Sequence, residues 1–450
     1  MKRVSIVALA LLMVVSAAFA QGTKENAAAA GQVELTVLNY IDMSEPNSAN
    51  EIAMIWDKFS ADNPDIKIVR EDLFNEPFHQ KTEAYVASGK LPDVLYMWPS
   101  GRSTSLHTTH SVKDLMPFLV KDGLVSSYNP ATLVPQFAGY VAELPNGITT
   151  THMLYVNTKV LRDNGLTMPK TYEEMKAMVQ PLKAKGIDLI AMDNMDAWVM
   201  QSCLFSMVVG RMGGTDWFPM LEAGKINFND AWFVNSLKLI DDMYKSGMIN
   251  RNSLTSPYGS SRGRFATGKA AFYIDGDWST GSFQTDTTTG QALIDRKGQE
   301  EDFELVVMPA LPGEVIHNSN SGVLGTGWGM SANLAAGSAK EQAAWRLIKF
   351  LQGEYVQTYR LSIGASFPSN LKVDVAKVVK DANLEPFVAK RAAYYAAYNT
   401  ITPVIDGVLA GDVYNVINTG LQEIGLGSKT PVLVASEVQK AWDAWKASNK

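Results

Sequence analysis

The sequence predicts an α/β fold in two domains. Short apolar runs alternate with segments of helical period along most of the chain, which is the pattern of strands crossing over through helices. The length of 450 residues, about 430 once a leader is removed, exceeds what one hydrophobic core supports. The strand Ala270–Ile274 ends in a loop of two carboxylates and a tryptophan. In open α/β sheets ligands bind at that end of the strands.

The elements follow in chain order. Lys2 and Arg3 precede the apolar run Val4–Val15, and Ala18-Phe19-Ala20 completes a secretory leader cleaved after Ala20, too short to span a bilayer. No cysteine follows the run, so no lipid anchor is expected. Gln21–Gln32 is small and polar and reads as a flexible tether. Val33–Tyr40 (VELTVLNY) is nearly all apolar, as a buried parallel strand is. Ser48-x-x-Glu51 forms a capping box, and Ile52, Ile55, Trp56 and Phe59 follow at helical spacing. Asn63-Pro64 ends that helix, Ile66–Val69 is the next strand, and Phe78–Ser88 is a helix stopped by Gly89. Asp93–Met97 is a third strand, with Trp98, Pro99 and Gly101 in the loop beyond it. This β-α-β-α-β alternation predicts a parallel sheet covered on both faces.

A second α/β layer is expected between about 149 and 308. It begins with the Gly- and Thr-rich approach Gly147–Thr151 and the strand Leu154–Val156. Thr171-x-x-Glu174 opens a helix ended by Gly186, Asp188–Met192 is strand-like, and Val199–Val209 is an apolar helix. Asp230 caps a helix that carries Phe233, Leu237, Ile240 and Tyr244. Ser338-x-x-Glu341 caps another, with Ala344, Trp345, Ile348 and Leu351 inward, and the tail from Leu384 is helical.

The stretch Arg264–Trp278 (RFATGKAAFYIDGDW) contains a false signal. Gly263, Gly268 and Lys269 fit a phosphate-binding loop, but Ala270 stands where Ser or Thr must hold magnesium. A strand follows instead of a helix N-terminus, so nucleotide binding is rejected. The net charge of −6 and a pI near 5.5 argue against nucleic acid. The single Cys203 excludes an intramolecular disulfide and reads as a small buried hydrophobe. The five histidines are scattered, so no metal site is expected, nor any cofactor.

Four segments together resemble the extracellular solute-binding proteins, family 1, which are the sugar-binding, maltose-binding-protein-like subunits of ATP-driven (ABC) importers. They are PDVLYMW (92–98), LYVNTKVLRDNGLTMPKTYEEM (154–175), FATGKAAFYIDGDW (265–278) and GWGMSANLAAGSAKEQAAWRLIKFL (327–351). In the second, Val156 stands where tyrosine is commoner. The resemblance implies a two-lobed periplasmic-binding-protein fold, with hinge crossovers near 148, 309 and 367 and the ligand cleft between lobes. One lobe would comprise 33–148 and 309–366, the other 149–308 and 367–450. It further implies a periplasmic capture protein, acting as a monomer, that delivers carbohydrate to a membrane permease. Where some maltodextrin binders carry an acidic residue, this chain has Thr150 and Thr151, which leaves the sugar open.

Sugars present hydroxyls at their edges and C–H patches on their faces, so a sugar site needs flat aromatics and a few charged groups converging in a cleft. Trp278 leads the candidates by loop position and by resemblance. Asp277 is next, with helix capping as its other role. Trp98 and Arg102 follow the strand at 93–97, Tyr40 and Asp42 follow the first strand, and Asp196 and Trp198 follow the strand at 188–192. Trp328 sits between two glycines that permit close approach of backbone to ligand. Tyr398 completes the set by an approximate resemblance, with helix packing as its favoured reading. Trp56, Trp345, Trp442 and Trp445 lie on helical faces and are read as structural. A secreted glycoside hydrolase is the competing class. It needs carboxylates on both sides of the scissile bond, which Asp275 and Asp277 on one strand end do not supply, and no G-x-S-x-G elbow is present. A polyamine or peptide binder would want more cleft carboxylates than aromatics.

Overall fold

The computed structural model describes residues 31–98, 101–133, 139–324, 326–381, 383–397 and 400–449. The leader, nearly all of the tether, and Tyr398 lie outside the described residues. The strands are, in chain order, β1 (Val33–Tyr40), β2 (Ile66–Leu73), β3 (Val94–Met97), β4 (Glu143–Pro145), β5 (Gly147–Thr150), β6 (Met153–Asn157), β7 (Asp188–Ala191), β8 (Ala270–Asp275), β9 (Phe303–Val306), β10 (Asn320–Leu324), β11 (Gly327–Met330), β12 (Phe367–Pro368) and β13 (Ile401–Pro403).

The first sheet has the order β2-β1-β3-β11-β4. β1 is parallel to β2 and β3, as the alternation predicts, while β11 runs antiparallel to β3 and β4. Both faces are covered. Ile55, Trp56 and Phe59 pack on one face with Trp345, Ile348 and Leu351, and Phe78 and Leu106 pack on the other with Leu38 and Met97. Each such side chain removed from water contributes about 1.5 to 3 kcal/mol.

The second sheet has the order β7-β8-β6-β9, parallel between β7 and β8 and antiparallel elsewhere. Every residue of β8 is buried, because the strand lies inside the sheet between two hydrophobic clusters. One holds Leu154, Phe272 and Ile274 with Phe205 and Phe233; the other holds Tyr155 and Tyr273 with Phe265, Phe283 and Phe387. Cys203 is fully buried in the first of these. Trp217 and Trp232 belong to the same cluster.

A third sheet, β12-β5-β10-β13, links the two. β5 leads the chain from the first sheet to the second, and β10 leads it back. The crossing expected near 309 falls later, at β10. Residues 309–319 stay with the second lobe, where Arg211 donates to Pro309 O and Ser319 O, each at 3.1 Å. The crossing expected near 367 also falls later. Leu371 N donates to Ser127 O at 2.8 Å and Asn129 N to Ser369 O at 2.9 Å, so the chain beyond β12 still packs on the first lobe.

Of the expected helix caps, Thr171 and Ser338 form, each accepting from the backbone N–H of the glutamate three residues on. Ser48 does not cap. The N-cap is Asn47 at φ 64°, and Ser48 Oγ donates back to Asp42 O and Glu45 O. Glu51 is drawn away to Arg360 at 3.1 Å. Asp230 occupies an N-cap position, but its carboxylate accepts from Asn227 N instead.

Candidate functional site

Parallel strands end on the same edge of a sheet, so the residues that follow them meet in space. On the first lobe, the end of β1 brings Tyr40 beside Trp98, which follows β3; their ring centroids are 4.5 Å apart and nearly perpendicular. Tyr96 stacks on Tyr40 at 5.7 Å, and Phe78 meets Tyr40 edge-on at 5.3 Å. His79 packs on Trp98 at 4.7 Å. Burial, and then the nearby charge of Arg102, holds the His79 imidazole well below its ordinary pKa, so it is neutral. Burial likewise pushes the Tyr40 hydroxyl up.

On the second lobe, β7 and β8 are parallel and bring Trp198 and Trp278 to 6.2 Å, with Tyr258 at 5.0 Å from Trp198. The Trp278 ring lies back over Gly276, where a Cβ would stand 2.2 Å from it, so only glycine admits this placement. Trp278 Nε1 donates to Tyr258 Oη at 2.6 Å. Tyr258 Oη donates to Asp275 Oδ2 at 3.1 Å and accepts from Arg262 Nη2 at 3.1 Å.

The two aromatic walls enclose a cavity of about 310 Å³ lined from both lobes, within the usual range for a small-molecule site. Polar contacts span the cleft. Trp198 Nε1 donates across it to Asn75 Oδ1 at 3.1 Å, Asn75 Nδ2 donates to Asp196 Oδ2 at 3.3 Å, and Arg262 pairs with Glu45. Arg102 pairs with Asp406 at 3.0 Å and with Glu76 at 3.2 Å. Arg102, Arg262 and Arg360 all line the cavity, and each already holds a carboxylate.

The cavity thus brings together Tyr40, Asp42, Trp98, Arg102, Trp198 and Trp278 of the expected residues. Asp42 also closes the turn after β1, accepting from Ser44 N at 2.8 Å. The other expected residues stand elsewhere. Asp196 spans the lobes without lining the cavity. Asp277 is fully buried behind the wall. Its Oδ2 accepts from Thr150 N at 2.9 Å and from the Tyr395 hydroxyl, and pairs with Arg391 at 3.0 Å, tying β5 to the turn after β8. Trp328 is fully buried in the first-lobe core between Trp56 at 5.6 Å and Tyr96 at 5.3 Å. Its flanking glycines serve the sheet. A Cβ on Gly327 would lie 2.0 Å from Leu144 O, and one on Gly329 would lie 2.3 Å from Met97 Sδ. Glu45, Asn75, Tyr258 and Arg262 were not anticipated. They sit in loops and a short helical turn, where no periodicity marks a side chain as facing a cleft.

Residues 44–358 match the family of bacterial extracellular solute-binding proteins, and the chain belongs to it. Members of this family are binding proteins rather than enzymes. The similar curated proteins include the sn-glycerol-3-phosphate-binding periplasmic protein UgpB of Yersinia pestis, 25% identical over 240 residues, or 48% of this chain and 52% of that protein. UgpB of Escherichia coli K12 is 23% identical over 235 residues, covering 47% and 50%. The chain therefore spans about half the length of the curated relatives it matches. Solved structures extend the likeness to nearly the whole chain. A protein studied for xylan utilisation in Caldanaerobius polysaccharolyticus superposes with a TM-score of 0.80 at 21% identity, covering 91% of this chain and 99% of that one. A chitin oligosaccharide binding protein gives 0.78 at 22%, covering 92% and 98%, and maltose-bound MalE3 of T. maritima 0.71 at 19%, covering 91% and 98%. The fold they share with this chain is the two-lobed periplasmic-binding fold with a cleft. Among the described residues no helix is long and apolar enough to cross a membrane.

Proposed function

We propose that this protein captures a carbohydrate in the cleft and hands it, unaltered, to the permease of an ATP-driven importer. The observation that carries this reading is the pair of facing aromatic walls, Tyr40 and Trp98 against Trp198, Tyr258 and Trp278, around a cavity whose three arginines are already paired. Flat rings on two sides suit the C–H faces of a pyranose, and stacking adds roughly 1 kcal/mol per ring beyond area burial. The lobes are drawn as 33–148 with 321–381 and as 149–320 with 383–449, moving about β5, β10 and the stretch beyond residue 381. The chain works as a monomer outside the cytoplasm, exported by the leader that ends at Ala20.

The names of the UgpB relatives raise a phosphate ester as a second ligand class. The three cavity arginines could attract one, but each would have to give up a carboxylate already within hydrogen-bonding reach. An uncharged ligand leaves those pairs intact. The same pairing argues against hydrolysis. Glu45, Glu51 and Asp406 line the cavity as arginine partners, Asp275 and Asp277 are enclosed behind it, and Asp42, engaged by Ser44 N and Oγ, is left without a second carboxylate free of an arginine.

Thermal shift against a panel of mono- and disaccharides, with glycerol 3-phosphate beside them, tests the ligand class, because a ligand bound only by the folded state raises the melting point. A shift with a sugar and none with the phosphate ester is expected; the reverse overturns the carbohydrate reading. An oligosaccharide incubated with the protein should be recovered intact, and steady release of reducing ends would overturn the non-catalytic one. Small-angle scattering should give a smaller radius of gyration with the sugar than without it, provided the ligand favours the closed form.

A further inference from the structure

Each aromatic of the second wall has its polar atom committed to the protein, so it offers the cleft a bare ring. Trp198 spends its N–H on Asn75 and Trp278 spends its own on Tyr258. The Tyr258 hydroxyl is the common point. A phenol has one proton to donate and two lone pairs to accept with. Here the lone pairs take Trp278 Nε1 at 2.6 Å and Arg262 Nη2 at 3.1 Å, and the proton goes to Asp275 Oδ2 at 3.1 Å. The direction of that proton decides whether both lone pairs face the tryptophan and the arginine.

Asp275 is fully buried at the end of β8 and does not line the cavity. It is surrounded by donors. Besides Tyr258, its Oδ2 accepts from Tyr273 Oη at 2.6 Å and Ser279 Oγ at 2.5 Å, and its Oδ1 accepts from Gly276 N at 2.8 Å and from the Cys203 thiol at 3.5 Å. Resting on the reading of the cleft as a sugar site, we propose that Asp275 is a positioning residue of that site. Its carboxylate orients the Tyr258 hydroxyl, and that hydroxyl fixes the Trp278 ring and the Arg262 guanidinium in the geometry the ligand meets. The relay reaches the opposite lobe as well, since Arg262 stands over the Tyr258 ring at 5.0 Å and pairs with Glu45 across the cleft. The choice of glycine at 276 belongs to the same arrangement, because it lets the ring fold back far enough for its N–H to find Tyr258.

The test uses Asp275→Asn, Tyr258→Phe and the double variant, with the sugar that shifts the wild-type melting point as probe. Two readouts are needed. One is the dissociation constant. The other is the near-ultraviolet circular dichroism band assigned to Trp278 by difference from Trp278→Phe, recorded without ligand. Asp275→Asn should weaken binding about tenfold and diminish the Trp278 band. Tyr258→Phe should do the same, and the double variant should fall well short of the sum of the two, since both act through one hydroxyl while Asp275 Oδ2 also faces Arg262 Nη2 directly at the longer distance of 3.8 Å. The proposal is overturned if Asp275→Asn lowers only the melting point, leaving affinity and band unchanged, or if the two substitutions add. Should Asp275→Asn fail to fold, Tyr258→Phe alone decides. It keeps the ring and leaves Asp275 its other donors, and an unchanged band with unchanged affinity would overturn the relay. If no sugar binds the wild type, the carbohydrate reading falls, while the ligand-free band still tests the positioning.

Discussion

On one side of the cleft Tyr40 is packed among Phe74, Phe78, Tyr96 and Trp98, with centroids 4.5 to 5.7 Å away. On the other side Trp278 is held by one short hydrogen bond to a hydroxyl that is itself held by a carboxylate. Both walls present rings to the same cavity. The first is fixed by dispersion and shape, which tolerate no missing neighbour. The second adds directional bonds, which set an angle, to a ring that is half-buried and packs by one side on the second-lobe core. A ring inside an aromatic cluster therefore serves the fold and the site together, while a tethered ring at the edge of a core serves chiefly the site.

Four substitutions test that contrast. The largest effect is expected where the first wall is tied to the second lobe by charge. Arg102→Ala leaves the nearly buried Asp406 without its partner, a loss of about 3 kcal/mol or more on the scale of broken buried pairs. Denaturant unfolding should register it, and a loss below about 1 kcal/mol would mean that the pair behaves as a solvated surface bridge. Next comes Trp278→Ala, which should cost about 2 to 4 kcal/mol of ligand affinity, on the order of 30- to 1,000-fold, with little change in melting of the free protein. Calorimetric titration beside a melting curve reads both; a protein that unfolds instead makes this ring core and removes the contrast. Trp98→Ala should lower stability by about 2 to 3 kcal/mol, less than a fully buried tryptophan, and weaken the ligand as well. Unchanged melting would mean the first wall is no more packed than the second.

The smallest effect concerns His79, which packs on Trp98 and titrates below its ordinary 6.5. The folded state holds its proton less well than the unfolded chain does. Its contribution to stability is therefore present above pH 6.5 and is lost as pH falls below it. Denaturation midpoints measured down a pH series should fall less steeply for His79→Gln than for the wild type; parallel curves would show that this imidazole is solvated.

What the sequence revealed and what it hid divide along the same line. That Tyr40, Trp98, Trp198 and Trp278 would line one cavity was legible because Tyr40 ends a strand and the others follow one, and strand ends on a parallel edge converge. Thr171 and Ser338 were legible as caps because the whole motif is local. Ser48 has the same local motif, but Asn47 takes the cap position while Arg360, remote in sequence, takes Glu51. Trp328 between its glycines looked like a close approach to ligand. The close approach is real, but it is to β3 and β4, whose positions beside β11 no local pattern discloses. Tyr258 and Arg262 carry no signal at all, because their role is fixed by a hydroxyl shared with residues on another element.

The place of β11 in the first sheet also bears on how the chain is made. It lies between β3 and β4, yet Gly327–Met330 is synthesised only after the whole second sheet. Until then β4 has no strand beside it, and the linking sheet must wait longer still for Ile401–Pro403. Contacts this distant in sequence make folding slow. A chain that cannot finish its first lobe early stays extended, and threadable, until its later strands are made. A ribosome stalled before residue 327 would leave two open strand edges, ready to pair with another chain.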